Sequence, residues 1–82
     1  MNLGGNTMNR TEDLNSKIGT WLKEKRTEKS LSQQAVADRM GCTRTAIHYW
    51  ESGKRTIYAV NLLDYCKAIG VNADELVREL LG

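Results

Sequence analysis

A chain of 82 residues holds one small domain, which buries only roughly 60 to 65% of its unfolded surface and depends on efficient packing or a partner. With 40% hydrophobic and 27% charged residues it has the composition of a folded protein, not a disordered one. No apolar run nears the roughly 20 residues that span a bilayer, and no secretory leader opens the chain, so a cytoplasmic protein with no membrane role is expected.

Residues 1–11 carry Gly4-Gly5 and three asparagines with almost nothing to bury, and read as a flexible N-terminal arm, with simple fraying as the plain alternative. The domain is expected over residues 12–82. Its first helix should run from about Glu12 to Lys29, because Leu14, Ile18, Trp21 and Leu22 form an apolar stripe at i, i+4, i+7 and i+8. Lys23, Lys25 and Lys29 interleave with Glu24 and Glu28 on a solvated face, whereas Arg26 lies one turn after Leu22, on the apolar side.

Two short helical patterns follow, pivoting about Met40-Gly41-Cys42. Val36, Ala37 and Met40 share one face of a helix over Gln33 to Met40; Ala46, Ile47 and Trp50 repeat that spacing over Arg44 to Ser52. Ser32 and Thr43 precede them as N-caps, and Gly41 and Gly53 follow as left-handed exits. Two capped helices joined by a short glycine-containing turn make a helix-turn-helix. A fourth helix is expected over Ala59 to Ile69, with Leu62, Tyr65, Cys66 and Ile69 inward and Gly70 at its end. A capping box of Asn72 and Glu75 should open a fifth, from Ala73 to Leu81.

Leu31-Ser32-Gln33, Val36-Ala37, Gly41, Ile47, Trp50, Glu51 and Gly53 resemble the helix-turn-helix of the phage-repressor family (lambda repressor and Cro, XRE-type). Ile18, Leu22 and Arg26 resemble its first helix, and Leu62, Tyr65, Ile69-Gly70-Val71 and Glu75-Leu76 its fourth and fifth. The resemblance implies an all-α, five-helix domain with Ile18, Leu22, Leu31, Val36, Ala37, Met40, Ile47, Trp50, Leu62, Ile69 and Leu76 in its core. It also implies a structural ion pair between Arg26 and Glu51. Three positions depart from the family pattern. Ser30 stands where glycine is usual, Ala35 replaces a capping glutamate, and Thr56-Ile57-Tyr58 replaces a Pro-Ser start to helix four.

The function implied is a sequence-specific transcriptional regulator of double-stranded DNA, a repressor, laying helix three into the major groove of a near-palindromic operator. The charge distribution agrees. Up to Arg55, ten basic residues face six acidic ones, giving +4; beyond it, Lys67 and Arg78 face four acids, giving −2. A mixed solvated surface produces the same imbalance. Arg44 is the sharpest signal, since a cation in the first turn of a helix opposes the macrodipole yet matches O6 and N7 of guanine. The alternatives are a phosphate contact and a solvated arginine. Thr45, His48 and Tyr49 share its face: Thr45 and Tyr49 suit base or backbone contacts, and His48 reads equally as a surface histidine. Gln33 and Thr43, at the two helix starts, and Lys54 and Arg55, after Gly53, suit phosphates.

Cys42 and Cys66 lack metal-ligand spacing and there is a single histidine, so two reduced thiols and no metal or other cofactor are expected. No nucleophile–base pair, paired carboxylates or glycine-rich phosphate loop points to an enzyme or a small-molecule substrate. Val77, Leu80 and Leu81 add apolar surface beyond what Leu76 needs to anchor the last helix. They suggest a homodimer interface, or else a cover for helix one. An antitoxin-like protein-interaction module on the same fold is the second reading.

Overall fold

The computed structural model describes residues 10–82, so the arm expected over residues 1–11 lies almost wholly outside the described residues. Five helices follow in chain order: α1 (Arg10–Glu28), α2 (Gln33–Met40), α3 (Arg44–Ser52), α4 (Ala59–Ile69) and α5 (Asp74–Leu81). Among the described residues there is no strand. α3 packs against α1 and α2, α4 lies across α2 and α1, and α5 rests on α1. Trp21, Leu22, Val36, Ala37, Ala46, Ile47, Trp50, Tyr65, Cys66, Ile69 and Leu76 are buried between them, and Ile18, Leu31, Met40 and Leu62 pack half-buried around that centre.

The caps explain why α2 and α3 begin and end where they do. Ser32 Oγ accepts from the Ala35 amide at 3.0 Å and Thr43 Oγ1 from the Ala46 amide at 3.1 Å, each satisfying a donor that the helix leaves unpaired. Gly41 and Gly53 leave the helices at φ 72° and 77°, where a side chain other than glycine is strained. Ser30 adopts φ 57° after α1, the one non-glycine residue among those described to do so, at the position where the family favours glycine.

Two details differ from expectation, and α1 is already helical at Arg10, the first of the described residues. Leu14 continues the apolar stripe in sequence but is exposed, because α3 runs out beside it: Gly53, the residue that ends α3, sits against Ser16. α5 starts at Asp74, and the expected capping box is only half formed. Asn72 Oδ1 accepts from the Asp74 amide at 3.2 Å, while Ala73 is already helical and the Glu75 carboxylate turns away to Lys25 Nζ at 3.8 Å.

α1 and α3 approach closely at Gly19. A Cβ there would lie 2.5 Å from the carbonyl oxygens of both Trp50 and Glu51, so any side chain must push the two helices apart. Gly19→Ala should therefore cost about 1 to 3 kcal/mol, the usual range for overpacking a well-filled interior. Urea unfolding checks this, with Gly41→Ala as comparison: open space surrounds Gly41, so a side chain there meets no clash and bears only the strain of a positive φ.

Candidate nucleic-acid interface

α3 divides its residues cleanly. Ala46, Ile47, Trp50 and Glu51 are buried, while Arg44, Thr45 and His48 are exposed and Tyr49 is half-exposed on the opposite side. The four sequence-predicted reading residues thus occupy one face, with Arg44, Thr45 and His48 within the first turn and a half. Among the described residues, none of Arg44, Lys54 and Arg55 is paired with a carboxylate.

Beneath this face lies a buried polar cluster centred on the Glu51 carboxylate. Arg26 Nε donates to Glu51 Oε2 at 2.7 Å and Arg26 Nη2 to Oε1 at 2.9 Å, a two-pronged pair joining α1 to α3. Both residues are 7% exposed. Arg26 Nη1 also donates to the Leu31 carbonyl at 2.8 Å, fixing the loop that leads into α2. The Tyr65 hydroxyl donates to Glu51 Oε2 from α4, and Gln33 Nε2 donates to Oε1 at 3.0 Å from α2. Four helices therefore meet on one carboxylate.

The electrostatics follow from these bonds. Burial alone pushes the Glu51 carboxyl upward, but hydrogen bonds from Arg26, Tyr65 and Gln33 outweigh it and hold the group below its ordinary value. The bond to Glu51 raises Arg26 in turn, and burial raises the Tyr65 hydroxyl, which remains a donor throughout the physiological range. Burial likewise pushes the thiols of Cys42 and Cys66 upward.

Gln33 links the cluster to the surface. While its Nε2 holds Glu51, its Oε1 accepts from Arg44 Nη1 at 3.3 Å, so the first residue of α2 touches the first residue of α3. Thr43 is exposed and committed to its cap. Past Gly53, the amides of Lys54 and Arg55 donate to the Tyr49 carbonyl at 3.0 and 3.3 Å, and the Arg55 guanidinium lies over the Tyr49 ring. The predicted phosphate residues are thus distributed at both ends of α3 and at the start of α2.

Two contributions go beyond the sequence reading. Tyr65 was expected in the core, but not as a partner of Glu51; the available signal was that a buried tyrosine needs an acceptor for its hydroxyl. Arg39 Nη1 donates to the Ala68 carbonyl at 2.8 Å and so ties α2 to the end of α4. On α5, Leu80 is half-buried and lines a groove of about 390 Å³ with Trp21 and Leu76. Val77 and Leu81 remain 53% and 82% exposed.

Comparison with known proteins agrees with this fold. A helix-turn-helix family model matches residues 22–76. The control protein C.MunI of a Mycoplasma species is 33% identical over 69 residues, covering 83% of this chain and 93% of that protein. The crystal structure of the restriction-modification controller protein C.AhdI from Aeromonas hydrophila superposes with a TM-score of 0.74 at 34% identity, over 78% of this chain and 97% of that one. The restriction-modification controller protein C.Esp1396I also gives a TM-score of 0.74, at 27% identity, over 84% of this chain and 96% of its own. The chain belongs to the XRE-type helix-turn-helix family of DNA-binding transcriptional regulators.

Proposed function

We propose that the protein is a sequence-specific regulator, acting as a repressor, that reads a near-palindromic operator through the N-terminal half of α3. The observation that carries this reading is Arg44: an exposed cation in the first turn of a helix, free of any carboxylate and steadied by Gln33. It is unfavourable for the helix alone and well suited to a guanine edge. Thr45 and His48 complete the reading surface, with Tyr49 beside them. Gln33, whose amide keeps a second hydrogen beyond the one given to Glu51, takes a phosphate together with Thr43, Lys54 and Arg55. Because its relatives are controller proteins of restriction and modification, the genes of such a pair are the proposed targets.

A homodimer through α5 brings two recognition helices to half-sites about 34 Å apart. Asp74, Val77 and Leu81 share one side of α5, where Val77 and Leu81 leave apolar surface exposed. Leu80 is turned toward α1 and lines the groove with Trp21. Val77→Glu should convert a dimer into a monomer in analytical ultracentrifugation and weaken binding to the full operator far more than to a half-site. A wild-type monomer at high micromolar concentration contradicts the dimer.

Selection of bound duplexes from a random pool tests the function itself. Recovery of a near-palindrome with half-sites one helical turn apart is expected. Retention of duplexes with no common sequence overturns the reading.

A further inference from the structure

We propose that Tyr49 is a positioning residue for Arg55, acting through its ring rather than its hydroxyl; this rests on the DNA-binding reading above and assigns the division of labour within it. Arg55 Cζ lies 5.0 Å from the centroid of the Tyr49 ring, over its face. The same residue organises the backbone beneath. The Tyr49 carbonyl accepts from the amides of Lys54 and Arg55 and, at 3.2 Å, from the hydroxyl of Ser52. Gly53, at φ 77°, turns the chain so that Arg55 doubles back over the helix it has just left. One residue therefore fixes both the loop and the guanidinium carried on it.

A cation held over a ring differs from an ion pair in what it leaves available. A carboxylate would neutralise the guanidinium and occupy its N–H groups. An aromatic face carries no charge and no strong acceptor, so the guanidinium keeps its charge and its donors for an anion. Among the described residues Arg55 has no carboxylate partner, so the ring is what restrains it. A long, otherwise mobile side chain is thus held at the C-terminal end of the recognition helix, already aimed for an anionic oxygen of the DNA backbone. The His48 ring neighbours that of Tyr49, tilted 48° with the two centroids 6.0 Å apart.

The test combines the free protein with DNA titrations. In the free protein, the Arg55 side-chain protons should show an upfield ring-current shift that survives Tyr49→Phe and disappears in Tyr49→Leu. On the selected operator, Tyr49→Phe should keep wild-type affinity and base preference. Tyr49→Leu should weaken binding roughly two- to fivefold on all duplexes alike, as expected for one exposed cation–aromatic contact. In an Arg55→Ala background the Leu substitution should have no further effect. A Phe variant that falls as far as the Leu variant, with altered base preference, overturns the proposal in favour of a base-reading hydroxyl. A Leu effect that persists without Arg55 overturns it as well. A wild-type chain that binds no duplex while retaining the ring-current shift is a different failure: it removes the regulator reading, and the role of Tyr49 falls with it.

Discussion

Glu51→Ala should lower folding stability by about 3 to 5 kcal/mol, because it strands the Arg26 guanidinium in the interior with nothing to balance it. Tyr65 and Gln33 lose the same acceptor at the same time, one in the core and one at the edge. For a domain of this size the loss corresponds to a melting temperature lower by on the order of 20 °C, a large share of all the stability that a small protein has. Tyr65→Phe removes one donor to the carboxylate and leaves the ion pair intact. Its cost should be smaller, about 1.5 to 3 kcal/mol, the range for a hydrogen bond to a charged group. The pH dependence carries the same signature. Glu51 is held below its ordinary value in the folded state, so its contribution is complete above the unfolded carboxyl pKa of about 4.3 and is lost as pH falls through the lower folded value. The wild-type protein should therefore lose stability in acid by a component that Glu51→Ala lacks. Thermal unfolding of the two proteins between neutral and acid pH checks both statements. Equal melting temperatures would show that the carboxylate holds nothing together.

Arg44→Ala should act on the DNA and leave the fold alone. The side chain is exposed, and its one recorded bond is to Gln33, which retains Glu51 when Arg44 is gone. If the guanidinium reads a guanine, its loss costs about 1 to 3 kcal/mol at each half-site and about twice that on an operator with two. The loss should fall on one base position per half-site, which becomes indifferent to sequence. Lys54 and Arg55 stand at the other end of α3, where the chain has left the helix. Replacing either should weaken binding to every duplex alike and reduce the slope of log K against log salt by about one.

The parts of the fold that were legible in sequence are those set by local chemistry. Ser32, Gly41, Thr43 and Gly53 mark the ends of α2 and α3 because a cap needs a hydroxyl and an exit needs a left-handed residue, and both requirements act within a few positions. α4 needed no such mark at its start, where Tyr58 supplies no side-chain bond; Gly70 and the apolar spacing were enough. What sequence did not disclose is long-range. Leu14 obeys the periodicity of α1, but periodicity says which side a residue is on, not how far the neighbouring helix extends. Gly19 reads as an ordinary helical residue until the backbone of α3 is placed against it. The cap at α5 is only half formed because Ala73 is already helical, and the Glu75 carboxylate lies instead toward Lys25, on a helix distant in sequence. The exposed face of α3 was visible because its polar and apolar positions alternate at helical spacing. The connection from Glu51 through Gln33 to Arg44 joins residues from two helices and had no local signal.

The most direct measurement is a binding titration of the wild-type protein, Arg44→Ala and Lys54→Ala against a panel of duplexes bearing every single-base change in the selected operator, at several salt concentrations. Specific reading from the start of α3 predicts that Arg44→Ala flattens the profile at one position in each half-site, while Lys54→Ala lowers the whole profile and its salt slope without changing its shape. A uniform loss for Arg44→Ala with every base preference intact would contradict it, making Arg44 a clamp and moving the readout to Thr45 and His48.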